Sequence, residues 1–203
     1  MNAPATGLRI AVADDEPEMR QFFQELLPYM GHEVVGIVET GRQLAECCRT
    51  HKPDVVITDI KMPDMDGIEA AAAVNRERQV PVVLVSGHAE SDLLARSGAE
   101  YIMSYLVKPV KPADLQAAIT LAVARFEQYQ RVRAEAASLR QSLEDRKTIE
   151  QAKGVTMRRL RIDEPEAYHR MRRLASQNNW KLTELARRLL ESEQIFKMLE
   201  EVR

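Results

Sequence analysis

Five short apolar runs recur at regular intervals through the first 110 residues: LRIAVA (8–13), EVVGIV (33–38), DVVITD (54–59), VPVVLVS (80–86) and YIMSYLV (101–107). They are rich in β-branched residues and continuous rather than alternating, the pattern of strands buried on both faces. Helix-like stretches separate them at 17–29, 41–51, 67–78 and 88–97, and another starts after Pro112. Strands alternating with helices need right-handed crossovers, so this half predicts an α/β fold with a doubly wound, five-stranded parallel sheet. Such a sheet also dictates where a ligand sits, in the crevice outside the carboxyl ends of its strands.

After residue 112 the strands stop. From Ala113 to Met157 there is no Pro, and Gly154 is the only Gly. One long helix is the economical reading. Ile119, Ala122, Phe126, Tyr129, Val132, Ala136, Leu139 and Leu143 fall three or four apart, close to a heptad seam with one stutter. The seam predicts a coiled-coil homodimer; the alternative is a helix packed on its own sheet. Beyond Gly154, Asp163 is placed to cap a helix over 164–178, with Pro165 in its first turn and Glu166 completing a capping box. Asn178-Asn179 ends that helix. A third, over 182–192, carries Leu182, Leu185, Ala186, Leu189 and Leu190 on one stripe, which gives a small three-helix all-α bundle.

Charge divides the chain the same way. The net charge of -2 conceals 11 Lys and Arg against 18 Asp and Glu in residues 1–120, and 18 against 13 in residues 121–203. With 45% hydrophobic and 30% charged residues, the composition excludes a disordered, collagen-like or disulfide-scaffold chain. Cys47 and Cys48 are adjacent and have no other thiol to pair with, which points to a reducing compartment. No signal-peptide core opens the chain, and no run reaches the ~18 apolar residues of a membrane span. The expectation is a cytoplasmic protein with no membrane partner.

The polar residues at the strand ends carry the chemistry of the first half. The first strand ends in Asp14-Asp15-Glu16, the third in Asp59, the fourth in Ser86, and the fifth leads into Lys108-Pro109. Adjacent acids facing a third across the switch point make a hard-oxygen site suited to Mg²⁺. Ser86 and Lys108 could hold the oxygens of a phosphoryl group.

These residues, with Val55 to Asp59 followed by Met62-Pro63-Asp64-Met65-Asp66-Gly67, and Tyr105-Leu106-Val107-Lys108-Pro109, resemble the receiver domain of two-component response regulators over about residues 7 to 122. The resemblance implies a strand order of 2-1-3-4-5 and a phosphoacceptor at Asp59, charged by a histidine kinase. It implies Mg²⁺ held by Asp15 and Asp59 directly, by Asp14 through water and by the Lys61 backbone carbonyl. Lys108 would pair with a phosphoryl oxygen, its bond to Pro109 would be cis, and Gly67 would permit a tight approach. Ser86 and Tyr105 match the switch positions, acting on the face formed by the 88–97 helix and the fifth strand. In one departure, Ser97-Gly98-Ala99 stands farther from the Lys than the family's Gly-Ala pair.

Residues 146–188 hold 12 Lys and Arg against 5 Asp and Glu, a plausible phosphate-seeking surface. Arg146-Lys147-Thr148-Ile149-Glu150-Gln151-Ala152-Lys153-Gly154-Val155-Thr156-Met157, then Glu164 to Tyr168 with Arg172 and Ala175, then Asn179 and Leu182 to Ala186, resemble the ANTAR output domain, an RNA-binding antiterminator module. The resemblance implies binding to paired RNA hairpins in nascent leader transcripts. Lys153 and Arg172 are the expected direct contacts, and Arg146, Arg158 and Lys181 the expected phosphate contacts. Gly154 would let chain or RNA approach closely, and Trp180 would serve as a core or lid residue, with a base-stacking platform as the alternative. The organisation that follows is a receiver at 7–120, a coiled-coil connector at 121–145 and an output domain at 146–203. A DNA-binding or protein-interaction output is the alternative. Beyond the receiver's own phosphoryl transfer and hydrolysis no enzyme is expected, since His32, His51, His88 and His169 are scattered and no second nucleophile–base constellation appears.

Overall fold

A computed structural model of the chain describes residues 7–87 and 101–201; the helix expected at 88–97, with His88 and Ser97-Gly98-Ala99, lies outside the described residues. The chain divides into two compact units, Met1–Arg131 and Val132–Arg203.

In the first unit, β1 (Arg9–Ala13), β2 (Glu33–Val38), β3 (Val55–Asp59), β4 (Val82–Ser86) and β5 (Ile102–Val107) form one parallel sheet in the order β2-β1-β3-β4-β5. The three central strands are buried almost throughout, as their unbroken apolar runs require. The edge strands β2 and β5 are only partly covered, so burial on both faces holds for the middle of the sheet and not for its margins.

The helices α1 (Pro17–Tyr29), α2 (Gly41–His51) and α3 (Gly67–Glu77) return the chain between strands. Successive strand residues face opposite sides. Accordingly Ile10, Val12, Val55 and Ile57 join Phe23 and Leu27 of α1 and Leu115 and Ile119 in one apolar layer, while Ala11, Ala13, Val56 and Leu84 join Leu44 of α2 and Ile68, Ala71 and Val74 of α3 in the other. Each fully buried Leu, Ile or Phe contributes about 1.5–3 kcal/mol. Pro17 opens α1 without a side-chain cap, whereas α2 and α3 begin where short polar side chains satisfy free amides: the Thr40 hydroxyl accepts from Gln43 N–H at 3.3 Å and Asp66 Oδ1 from Glu69 N–H at 2.7 Å.

The helix α4 runs from Pro112 to Leu160 without interruption, passing through Gly154. It ends at Arg161, whose φ of 54° turns the chain so that Ile162 N–H reaches the Met157 carbonyl at 3.3 Å. The second unit packs the later turns of α4 against α5 (Glu164–Gln177) and α6 (Leu182–Glu201). Its core is Ala152, Met171, Ala175, Leu185 and Ala186, with Ile149, Trp180, Leu189 and Leu190 closing around them. Asp163 caps α5 through Glu166 N–H at 3.1 Å, but the Glu166 side chain turns to Arg170 Nε at 2.6 Å, so only half of the expected capping box is in place. Asn179, at φ 56°, terminates α5 as the Asn pair predicts. The helix α6 outruns its expected end at 192 and continues to Glu201, because no Gly or Pro interrupts the Glu-, Gln-, Lys- and Leu-rich segment beyond the packed stripe. Among the described residues no helix is long and apolar enough to cross a membrane.

Candidate functional site

The sheet delivers its acids to one end. Asp14 follows the last residue of β1 and is fully buried; its N–H donates to the Val38 carbonyl at 3.1 Å and its Oδ1 accepts from Glu16 N–H at 3.0 Å. Arg20, on the first turns of α1, donates from Nη1 to the Asp14 and Asp15 carbonyls, each at 2.8 Å, which fixes the turn that carries the two acids. Asp59 closes β3, also buried, and its Oδ1 accepts from Ile60 N–H at 2.6 Å. Ser86 ends β4, and its carbonyl accepts from Lys108 N–H at 2.8 Å just beyond β5, next to the cis Lys108–Pro109 bond.

Lys108 ties these ends together. Its Nζ lies 2.8 Å from Asp59 Oδ2, 2.8 Å from Glu16 Oε1 and 3.1 Å from Asp14 Oδ2. Burial alone would lower the ammonium's pKa, but hydrogen bonds to Asp59, Glu16 and Asp14 outweigh it and hold Lys108 above the ordinary lysine range. Burial pushes the Asp14 carboxyl up, and the Glu16 N–H and the Lys108 ammonium offset only part of that rise.

A cavity of about 360 Å³ opens at these strand ends, lined by Asp15, Glu16, Asp59, Lys61, Ser86 and Gly87. Carboxylate oxygens of Asp14, Asp15, Glu16 and Asp59 lie within 4.8 Å of one another. Mg²⁺ takes oxygens at ~2.1 Å, so opposite ligands stand ~4 Å apart, and small side-chain adjustments bring this donor set to that spacing. Asp14 Oδ2 is buried and receives no aligned hydrogen bond, only the Lys108 ammonium at 3.1 Å, so a cation or its water would share this oxygen with Lys108. Tyr105 stands apart from the cavity wall, half-buried on β5 opposite Leu84 and packed on the α2–α3 side of the sheet.

Two glycines shape the loops beside the pocket. A Cβ at Gly67 would stand 1.9 Å from the Asp59 carbonyl oxygen, so no side chain fits where α3 starts against β3. A Cβ at Gly41 would stand 2.5 Å from the Met65 carbonyl oxygen. Gly67 was legible in the sequence; Gly41, the part of Glu16 in holding Lys108 and the clamp made by Arg20 were not. The only available signal for Arg20 was its position one helical turn after Glu16.

The basic residues of the second unit separate into two groups. Lys153, 10% exposed, is held by Glu150 Oε2 at 2.5 Å and by Glu164 Oε1 at 2.7 Å, and these hydrogen bonds raise its pKa. Arg159 pairs with Glu193, Arg170 with Glu166, Arg187 with Asp145, and Arg188 with Glu184 while its guanidinium covers the Trp180 ring at 4.0 Å. Among the described residues Arg146, Arg158, Arg172 and Lys181 are exposed and make no ion pair. Trp180 itself packs against the core. The space beside Gly154 is open: a Cβ there would meet nothing closer than Arg158 Nη1 at 3.6 Å, so the expected close approach of another chain segment does not occur.

Comparison with known proteins follows the same division. Residues 10–120 match the response regulator receiver domain and residues 137–190 match the ANTAR domain. The transcriptional regulatory protein PdtaR of Mycobacterium tuberculosis (strain H37Rv) is 37% identical over 188 residues, spanning 93% of this chain and 92% of that protein. The chemotaxis protein CheY of Thermotoga maritima is 27% identical over 114 residues, covering 56% of this chain and 95% of that one. Among solved structures, the signal receiver domain of the putative response regulator NarL from Mycobacterium tuberculosis aligns with a TM-score of 0.53 at 30% identity, over 57% of this chain and 94% of that one.

Proposed function

The chain belongs to the response regulators that join a receiver domain to an ANTAR domain, and on that footing we propose how its residues make it a phosphorylation-controlled, RNA-binding antiterminator. One observation carries the reading of the first half: Lys108 Nζ lies 2.8 Å from Asp59 Oδ2 at the strand ends that also gather Asp14, Asp15 and Ser86.

A carboxylate oxygen of Asp59 attacks the phosphorus of a histidine kinase's phosphohistidine. The new P–O bond forms as the P–N bond breaks, and the imidazole leaves. A carboxylate is a weak nucleophile, so the acceleration comes from in-line positioning and from neutralising charge on the equatorial oxygens. Asp14, Asp15, Asp59 and the Lys61 carbonyl would hold Mg²⁺, which supplies part of that neutralisation when bound. Lys108 supplies the rest by exchanging its bond to Asp59 Oδ2 for a phosphoryl oxygen. The same pocket hydrolyses the acyl phosphate slowly when water replaces the kinase. Drawn to the phosphoryl group, the Ser86 hydroxyl makes room for Tyr105 to turn inward, which biases an existing equilibrium at the β5 edge.

The second half delivers the output. Arg146, Arg158, Arg172 and Lys181 are available for RNA phosphates because no carboxylate occupies them among the described residues. Lys153 reaches RNA only by exchanging Glu150 and Glu164 for it. Receiver, connector and output occupy 7–120, 121–145 and 146–203, and the connector pairs two copies so that both output bundles meet a two-hairpin target.

Gel shifts with hairpin RNA and duplex DNA of equal charge, run across a salt series on the phosphorylated and unphosphorylated chain, test this reading. A salt-sensitive preference for hairpin loops that strengthens on phosphorylation is expected. Preference for duplex DNA would replace the RNA output with a DNA-binding one.

A further inference from the structure

We infer that the groove between α4 and the far part of α6 is a nucleotide subsite, which takes one unpaired base of the hairpin loop together with its phosphate. The inference rests on the RNA-binding reading of the second unit. The groove encloses about 460 Å³, within the ~300 to 1,000 Å³ of small-ligand sites. Gln151, Gly154 and Arg158 form its α4 wall, and Leu190, Gln194 and Lys197 its α6 wall. The ANTAR match stops at residue 190 while α6 continues to Glu201, so Gln194 and Lys197 belong to an extension beyond the matched segment.

The chemistry of the walls suits a nucleotide. Each glutamine amide offers both a donor and an acceptor, the pattern that base edges present. Arg158 and Lys197 make no ion pair among the described residues, so two cations are available to a phosphate. Two carboxylates also border the groove, but each is already engaged: Glu150 by Lys153 at 2.5 Å and Glu193 by Arg159 at 2.8 Å. The unengaged charge is therefore positive. Val155 and Leu190 supply apolar surface for the face of a base. With nothing but Arg158 Nη1, at 3.6 Å, near the position of a Cβ, Gly154 leaves space for a planar ring to approach the helix backbone.

The groove also stands open before any ligand arrives. The Arg159–Glu193 ion pair and the Arg159 guanidinium, 5.4 Å from the centre of the Phe196 ring, fasten the extension of α6 to α4. A site fixed in advance loses less ordering entropy on binding.

The test compares the full chain with Q194A/K197A and with Gly154→Leu, using a hairpin RNA, the same hairpin with single abasic loop positions, and a blunt duplex RNA of equal charge. Gly154→Leu fills the groove at a helical position with room for it, and its thermal midpoint should match or exceed that of the parent chain. Both variants should lose ~tenfold or more in affinity for the intact hairpin, the scale of one seated base. One abasic position should weaken the parent chain by a similar factor and add nothing to the loss in either variant. If the parent chain binds the hairpin and the variants bind it equally well, the subsite is wrong while the RNA reading stands. An equal loss on the blunt duplex reduces the groove to a phosphate contact and overturns the base-binding claim. If the parent chain binds no hairpin, the RNA reading itself fails.

Discussion

At the scale of single residues, the pocket sets function against stability. Asp59 is the only acid at the strand ends whose loss should abolish phosphorylation while leaving the fold standing. Asp59→Asn is expected to take up no phosphate from a kinase or from a small-molecule donor, as read by intact mass. Asp14 contributes differently. Burial raises its pKa in the folded chain above the unfolded value, so the folded state holds this proton more tightly. Its ionisation therefore costs stability once the pH rises above the unfolded carboxylate range of ~4. Asp14→Asn should then raise the thermal stability at pH 7 by about 1 kcal/mol, with the advantage shrinking as the pH falls toward 4, and should slow phosphorylation. An asparagine variant less stable than the parent at neutral pH would contradict that assignment. The positions of the strand-end acids, Ser86 and Lys108 were legible because polar residues that close or follow an apolar run fall at the carboxyl edge of a parallel sheet. Arg20 and Gly41 were not, since a guanidinium that bonds backbone carbonyls and a glycine that spares one carbonyl oxygen act through tertiary approach rather than pattern. The double ion pair of Lys153 was equally hidden, because Glu164 comes to it only after α4 has ended and the chain has turned.

At the scale of elements, the ends matter more than the interiors. The continuous apolar runs made the strands and their order of succession readable, and period-3.6 stripes did the same for the helices among the described residues. The far end of α6 was unreadable because its last turns carry no core stripe; Ile195, Phe196, Met198 and Leu199 are all exposed there. Two connections carry testable weight. Gly67→Ala drives a methyl group into the Asp59 carbonyl, so β3 and α3 must separate, at a cost of about 2–3 kcal/mol. The same shift moves Asp59, the proposed phosphoacceptor, so the midpoint of chemical denaturation and the initial rate of phosphorylation should fall together. Asp163→Ala removes the carboxylate that caps α5 and should cost about 1 kcal/mol in thermal unfolding of the second unit. It should leave phosphorylation of Asp59 unchanged, because the cap belongs to the output unit alone.

At the scale of the whole molecule, the proposed dimer rests on the exposed stripe of α4. Val132, Leu139 and Leu143 are each more than half exposed, although they continue the seam that Ile119 and Ala122 begin as buried residues in the receiver. A stripe left in water along a solvated helix is stabilised by a second copy of itself, in the manner of a two-stranded coiled coil. A dimer holds two output bundles on one scaffold, so binding of the second hairpin becomes intramolecular and overall affinity rises by ~100-fold or more with no new contact. The variant L139E/L143E, with two like charges placed on the seam, should sediment as a monomer at concentrations where the parent chain is dimeric. It should bind a single hairpin with unchanged affinity and lose the ~100-fold advantage for a paired-hairpin RNA. Beryllofluoride at Asp59 distinguishes the two ways phosphorylation can act on this interface. A rise in mass places dimer formation under control of the receiver, whereas constant mass with tighter binding to paired hairpins means that the receiver reorients a dimer already formed. A monomeric parent chain in both states, still binding paired hairpins tightly, would remove the coiled coil from the mechanism.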